Sequence, residues 1–196
     1  MGQELDHDTQ LMVQVSKGDL RAFEELVEKH KASVINAVYK MINDLIEAED
    51  IAQNVFIQIY KAAPRYQPSA KFTTWMFTIV RNLSLNEIRR RSIHKLDSLE
   101  GSQLPDDSER AEPQFADPKT KNSIQVAEQN ELERAIDEAM ASLPENQRTA
   151  LVLRRYEDMP YEEIAKIINC SVPATKSIIF RARETMKEKL RGFLEP

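Results

Sequence analysis

Between residues 97 and 118 the chain loses the means to pack. Seven acidic side chains (Asp97, Glu100, Asp106, Asp107, Glu109, Glu112 and Asp117) stand against one cation, Arg110, and Pro105, Pro113 and Pro118 interrupt the stretch. With few large apolar residues it cannot bury enough surface to offset its ordering entropy, so it reads as a flexible linker. The expected organisation is a first domain over residues 1–96, an acidic linker over 97–127 and a second domain over 128–196. Each domain is small enough that its core must be thin. Only 4 glycines occur in 196 residues and β-branched alternation is scarce. The expected fold is therefore all-α, two small helical domains joined by the linker, with no internal repeat.

Several function classes are disfavoured at once. Cys170 is the single cysteine, so no intramolecular disulfide framework is possible, and a reducing, cytoplasmic setting is expected. No run of about 18 apolar residues offers a membrane span, and the acidic stretch Met1 to Gln10 lacks a signal-peptide core. His7, His30 and His94 are scattered, and neither a glycine-rich phosphate loop nor metal-ligand spacing is present. No catalytic residue, metal or cofactor is expected, and the chain is not read as an enzyme. Cys170 reads as a small buried residue rather than a redox sensor. The net charge of −5 argues against a nucleic-acid partner only until its distribution is considered.

The first domain reads as three or four helices. Asp19 can cap a helix carrying Phe23, Leu26, Val27, Ile35, Val38 and Ile42 at helical spacing. A second begins near Asp44, buries Ile51, Val55 and Ile59, leaves Tyr60 undecided, and stops at Pro64, with Pro68 in the following loop. A third is expected from about Thr73 to Arg91, with Met76, Ile79, Val80, Leu83 and Ile88 inside. Residues 1–60 carry eleven acidic side chains against five basic, whereas residues 71–95 carry Lys71, Arg81, Arg89, Arg90, Arg91 and Lys95 against Glu87 alone. That basic end suits a nucleic-acid surface, but cations also suit a solvated helix C-terminus. Charge alone does not choose between them.

The second domain carries a more specific pattern. Pro144 fits the first turn of a helix through Tyr156, and Pro160 opens the next. Tyr161 to Ser171 supplies a short helix and a turn: Ile164, Ile167 and Ile168 are apolar, Ala165 is small where a second helix must cross, and Asn169 tolerates a left-handed backbone. Ser171 can cap the following helix, with Pro173 in its first turn. Val172, Thr175, Ile179, Ala182, Met186 and Leu190 then form a buried stripe. Ala174, Lys176, Ser177, Phe180, Arg181, Arg183 and Lys187 remain outside. This is a helix-turn-helix with a basic outer face, suited to base edges and phosphates of a major groove. An ordinary helical hairpin with a charged face would not call for the small Ala165, the Asn169 turn and the cations together.

Tyr161-Glu-Glu-Ile-Ala165, Lys176-Ser177 and Phe180-Arg-Ala-Arg183 together resemble region 4 of bacterial sigma factors of the extracytoplasmic-function (ECF) type. Ala48-Glu-Asp-Ile-Ala-Gln-Asn-Val-Phe56 is similar to that family's region 2.2, and Phe72 to Asn82, continuing to Arg91, to its regions 2.3 and 2.4. The resemblance spans both domains and leaves out the linker. It implies a protein that carries core RNA polymerase to promoters, touching the β′ clamp and β flap. Lys176, Ser177, Phe180, Arg181 and Arg183 would read the −35 element as duplex. Asn82 and Asn86 would meet flipped bases of the melted −10 strand, and Arg81, Arg89 and Arg90 its phosphates, with a specificity pocket near the Tyr66 to Lys71 loop. Phe72 and Trp75 could stack on DNA, although their spacing with Ile79 favours the core. Asp50, Gln53, Asn54 and Phe56 would bind the clamp, although Asp50 is also a plausible first-turn acid favoured by the helix dipole. An anti-sigma partner is implied, and the linker would pass near the RNA exit path. No membrane insertion is implied.

The sequence departs from the pattern at three places. Pro173-Ala-Thr175 replaces the usual Gly-Thr-Val, Ile178 replaces a common arginine and could offer an apolar contact to a thymine methyl, and Asn54 replaces an acid. They bear on −35 preference and core affinity. The competing reading is a stand-alone regulator that uses the same helix-turn-helix without polymerase; the resemblance of the first domain argues against it.

Overall fold

The computed structural model describes residues 6–68, 70–100 and 123–194, with side chains for 6–68, 70–94 and 131–193. Among these residues every regular element is helical: α1 (His7–Val15), α2 (Leu20–Ile42), α3 (Leu45–Ala62), a 3-10 turn (Ala63–Arg65), α4 (Phe72–Glu100), α5 (Ser123–Ala141), α6 (Glu145–Tyr156), α7 (Tyr161–Ile167), α8 (Val172–Lys189) and α9 (Arg191–Leu194). The all-α expectation holds.

Local chemistry sets many of the boundaries. Asp6, Asp19, Asp44 and Ser171 occupy N-cap positions and accept from main-chain N–H groups of the first turns of α1, α2, α3 and α8, which satisfies donors that have no partner inside the helix. Asn43 ends α2 in the left-handed region at φ 54°. Pro64 falls inside the 3-10 turn that closes α3. Pro144 and Pro160 sit at the N-cap of α6 and α7 rather than within their first turns.

Helix α4 begins one residue before the expected Thr73 and extends well past Arg91, to Glu100. Helix α5 begins at Ser123. The expected linker therefore overlaps helix at both ends, and its central part lies outside the described residues. Helices α1 and α5 were not specified by periodicity. In α1 the buried set includes Asp8 and Thr9, polar residues that an apolar pattern cannot count. Asp8 accepts from Lys29 Nζ at 2.6 Å and sits 3.0 Å from His30 Nε2. The Phe72 N–H donates to Thr9 Oγ1 at 3.3 Å. These bonds fasten α1 to α2 and α4.

The two helical units do not stand apart. Helix α2 packs on α1, α3 and α4 and also on α5 and α6, while α4 packs on α7. The buried apolar residues form one cluster running from Leu11 through Leu26, Phe72 and Val80 to Leu153, Ile164 and Ile179. Polar contacts cross the same seam. Tyr39 Oη donates to Asp137 at 3.0 Å and Lys40 Nζ to the same carboxylate at 2.8 Å, and Ser33 Oγ donates to Glu157 at 2.5 Å. Burial, with help from the Asp137 hydrogen bond, pushes the Tyr39 phenol up to about 12, so it stays a donor throughout the neutral range.

Asp44 both caps α3 and accepts from Arg91 at 3.0 Å. Asp44→Ala is expected to lower stability by about 1–2 kcal/mol in urea titrations. Asp44→Asn keeps the cap and loses only a half-exposed ion pair, a loss under about 1 kcal/mol.

Candidate nucleic-acid and polymerase interfaces

The helix-turn-helix is built by α7 and α8. Asn169 adopts φ 53°, and the Cys170 N–H reaches back to Ala165 O at 2.9 Å, closing the turn. Ala165 and Ala182 are both buried, as two closely crossing helices require. Thr175, Ile179 and Ala182 are the fully buried members of the expected stripe, with Val172, Met186 and Leu190 half-buried.

Lys176, Ser177, Phe180, Arg181 and Arg183 are all exposed, Phe180 to 65%. They line one outer face of α8. Lys176 Nζ lies 5.6 Å from the Tyr161 ring centre and the Arg154 guanidinium 5.5 Å from the same ring, so one aromatic ring sits beside two cations. Ile178 is half-buried and packs against the core. That leaves only part of its side chain for the thymine-methyl contact considered for it. Cys170 is half-buried against the same core.

Helix α4 presents the second candidate surface. Asn82 and Asn86 are exposed. Each of its arginines already has a partner. Arg81 donates to Asn146 at 3.0 Å and to Asn82 at 3.4 Å, and Arg89 lies 3.3 Å from Glu145. Arg90 and Arg91 converge on the buried Glu87 at 2.7 and 2.6 Å, with Glu47 and Asp44 beyond. The Arg90 hydrogen bond, aided by Arg91 and opposed by burial, holds the Glu87 carboxyl below the usual carboxylate range. Phe72 is fully buried, which places it in the core. Trp75 is half-buried and tilts against Tyr66 at 5.1 Å between ring centres. Beside it opens a cavity of about 470 Å³, lined by Arg65, Tyr66, Gln67, Thr74, Trp75 and Lys166, among others. The buried Thr74 Oγ1 has no hydrogen-bond partner among the described residues.

The third surface is the outer side of α3. Asp50, Gln53 and Asn54 are exposed, whereas Phe56 is only 7% exposed and forms part of a groove wall. This groove, about 610 Å³ between α2 and α3, is lined by Phe23, Val27, Ala52, Gln53, Phe56, Ile57 and Tyr60, with Glu28, Glu49, Lys31 and Lys61 at its rim. Phe23 and Tyr60 meet in a tilted contact, 5.1 Å between ring centres. Ile57 and Tyr60 are 47% and 46% exposed, so Tyr60 belongs to the groove and not to the core. Sequence reasoning missed this groove. Its signal was the spacing Gln53, Phe56, Ile57, Tyr60, a second stripe beside Ile51, Val55 and Ile59. Among the described residues no group of three or more His, Cys, Asp or Glu could hold a metal ion, and no described helix is long and apolar enough to cross a membrane.

These features define an all-helical protein with a helix-turn-helix head and a second unit that carries a basic helix and an apolar groove. The family model for sigma-70 region 2 matches residues 26–93, and that for sigma-70 region 4 matches residues 133–186. The chain is 33% identical over 189 residues to the RNA polymerase sigma-H factor of Pseudomonas aeruginosa, covering 96% of each chain. It is 32% identical to the ECF RNA polymerase sigma factor SigW of Bacillus subtilis, over 91% of this chain and 94% of that one. Against the ECF RNA polymerase sigma-E factor of Escherichia coli the identity is 31%, over 95% and 96%. The fold resembles that of CnrH, solved in complex with the cytosolic domain of CnrY (TM-score 0.68, 22% identity, 95% of this chain and 99% of that one). It also resembles sigma factor RpoE of Bartonella quintana, solved with the anti-sigma factor NepR (TM-score 0.65, 20% identity, 86% and 96%). The chain belongs to the sigma-70 family, as a sigma factor of the ECF type. Its function is to direct transcription initiation, not to catalyse a reaction of its own.

The Glu87 cluster yields a pH dependence. A carboxyl whose pKa is lowered on folding stabilises the protein above its unfolded pKa and loses that contribution as pH falls through the folded one. Thermal unfolding followed from pH 7 downward should therefore lose stability below the ordinary carboxylate range near 4.5. In Glu87→Gln that acid limb should be shallower.

Proposed function

We propose that this sigma factor reads the −35 element as duplex DNA through Lys176, Ser177, Phe180, Arg181 and Arg183, and the −10 element as melted single strand through Asn82, Asn86, Arg81, Arg89 and Arg90. The single observation that carries this reading is the outer face of α8. All five side chains are exposed together on a helix whose opposite side is buried. A major groove accepts such a helix, with arginine suited to guanine edges and lysine to phosphates. For the −10 strand, opening costs a few kcal/mol per unstacked base, which capture of the freed strand can offset. The cavity beside Trp75 has the dimensions and the polar and aromatic lining to receive a base.

Core polymerase binds, in this reading, on Asp50, Gln53 and Asn54, with Phe56 supporting the apolar groove behind them. Carboxylate and amide groups flanking an apolar trough suit the basic helices of the β′ clamp, and region 4 would meet the β flap. Residues 1–96 and 128–196 are the two promoter-reading units. A solved protein of the same fold, sigma factor RpoE of Bartonella quintana, is in complex with the anti-sigma factor NepR, which supports a similar inhibitor for this chain. The protein works in the cytoplasm on this account, where polymerase and promoter are.

Reconstitution with core polymerase on a library of promoter fragments tests the reading. Promoter-specific transcripts are expected. If none appear while the protein alone still binds duplex DNA, the chain acts as a stand-alone regulator. Arg181→Ala should weaken −35 selection by about 1–3 kcal/mol if it makes a base contact. Asp50→Ala should weaken co-purification with core polymerase and leave the selected promoter sequence unchanged.

A further inference from the structure

Neighbouring residues on a helix point about 100° apart, so Arg90 and Arg91 have no intrinsic reason to act together. Glu87 supplies one. It lies three residues before Arg90 and four before Arg91, the two spacings that bring helical side chains into contact. Its Oε2 accepts from Arg90 Nε at 2.7 Å, and its Oε1 accepts from Arg90 Nη2 at 2.9 Å and from Arg91 Nε at 2.6 Å. Arg91 Nη2 goes on to donate to Asp44 at 3.0 Å. One carboxylate thus takes three N–H donors from two guanidiniums.

The edges used decide what remains. Every one of these bonds takes an Nε or an Nη2 hydrogen, and the Nη1 group of neither arginine takes part in them. Arg90 is exposed and Arg91 half-buried, whereas Glu87 is buried, so the carboxylate is the inner member and the guanidiniums are the outer ones. A guanidinium held along its Nε side keeps further donors for a second anion. Asn82, Asn86 and Arg90 follow one another at steps of four and form one row along α4, with the arginine pair at its end. Net charge does not favour an anion there. Glu87, Asp44 and Glu47, the last 3.6 and 3.9 Å from the two guanidiniums, outnumber the arginines. Affinity at this place must come from the aim of the donors.

We propose that Glu87 is a positioning residue for strand capture, which sets Arg90 and Arg91 side by side as a rigid clip for the phosphate backbone of the melted −10 strand. This rests on the assignment of Arg90 to that strand and adds Arg91 to it. Side chains ordered before contact lose less freedom on binding. A phosphate contact carries no sequence information of its own; the clip fixes the register in which Asn82 and Asn86 meet the bases.

The test uses holoenzyme reconstituted from core polymerase and the full chain, on a promoter fragment recovered from the library with its −10 element premelted by mismatches. Arg90→Ala and Arg91→Ala should each weaken binding about tenfold, as loss of a charge-assisted hydrogen bond does. Glu87→Gln offers one acceptor oxygen to three donors and should weaken binding about threefold or more, even though it removes a negative charge near DNA. Glu47→Gln removes the same charge without touching the bonds to Glu87, and should not weaken binding. In the Arg90→Ala/Arg91→Ala background Glu87→Gln should add no further loss, which a general structural defect would not obey. Where Glu87→Gln loses helicity by circular dichroism, Glu87→Asp replaces it: charge is kept, reach is shortened, and binding should again weaken. The proposal is overturned if Glu87→Gln, or Glu87→Asp in its place, binds the premelted fragment as well as the parent or better while the arginine variants are impaired; Glu87 then only neutralises the pair. If neither arginine variant is impaired, the strand assignment of Arg90 fails and the clip falls with it.

Discussion

Helix α2 asks for more neighbours than one small domain provides. Its buried side chains, Ala22, Leu26, His30, Val34, Ala37, Val38, Met41 and Ile42, run its whole length, and Phe23, Val27, Ile35 and Tyr39 beside them are half-buried. Such a belt is wider than the single stripe of a helix lying on a surface. It is covered by α1, α3 and α4 from its own unit and by α5 and α6 from the other. The 23-residue helix spans roughly 35 Å at 1.5 Å per residue, so it reaches from one unit to the other. The site geometry follows from it: once α6 is seated on α2, Glu145 and Asn146 face α4, and α7 follows.

Polar contacts along that seam serve a different purpose from the apolar ones. Burial of Leu153, Ile164 and Ile179 builds region 4, but apolar packing is not selective about partner or register. Arg148, Tyr39 with Asp137, and Ser33 with Glu157 are. Each leaves buried groups unsatisfied if the helices slide, and unsatisfied buried groups are costly. Burial raises the Glu157 carboxyl above its usual range, against the pull of Ser33 and His30. The fit is therefore specific in position.

What the sequence disclosed was local. Asp19, Asp44 and Ser171 announced helix starts because a cap acts within three residues of itself, and Asn169 announced the turn because few residues tolerate its backbone. The outer face of α8 followed from the period of Val172, Thr175, Ile179 and Ala182. Polar burial and distance hid the rest. Helix α1 uses Asp8 and Thr9 as interior residues, so its pattern looks like surface. Arg81 and Asn146 are separated by 65 positions, and no periodicity links them. The basic end of α4 was visible as a run of cations, but not that Glu87 gathers Arg90 and Arg91 while Glu145 holds Arg89. Phe56 and Tyr60 are legible in the sequence of α3; the groove between them and Phe23 requires two helices at once.

Phe180 stands in water on the recognition helix, 65% exposed, between Ser177 and Arg181. An aromatic face that is hydrated in the free protein and covered on DNA changes the heat capacity of binding, because dehydrating apolar surface lowers it. Engagement of the duplex by this face would then grow more exothermic as temperature rises. Contacts made by lysine and arginine to phosphates respond chiefly to salt. Under the proposed duplex contact, one exposed ring would add a thermal term to the choice of DNA that charges cannot supply.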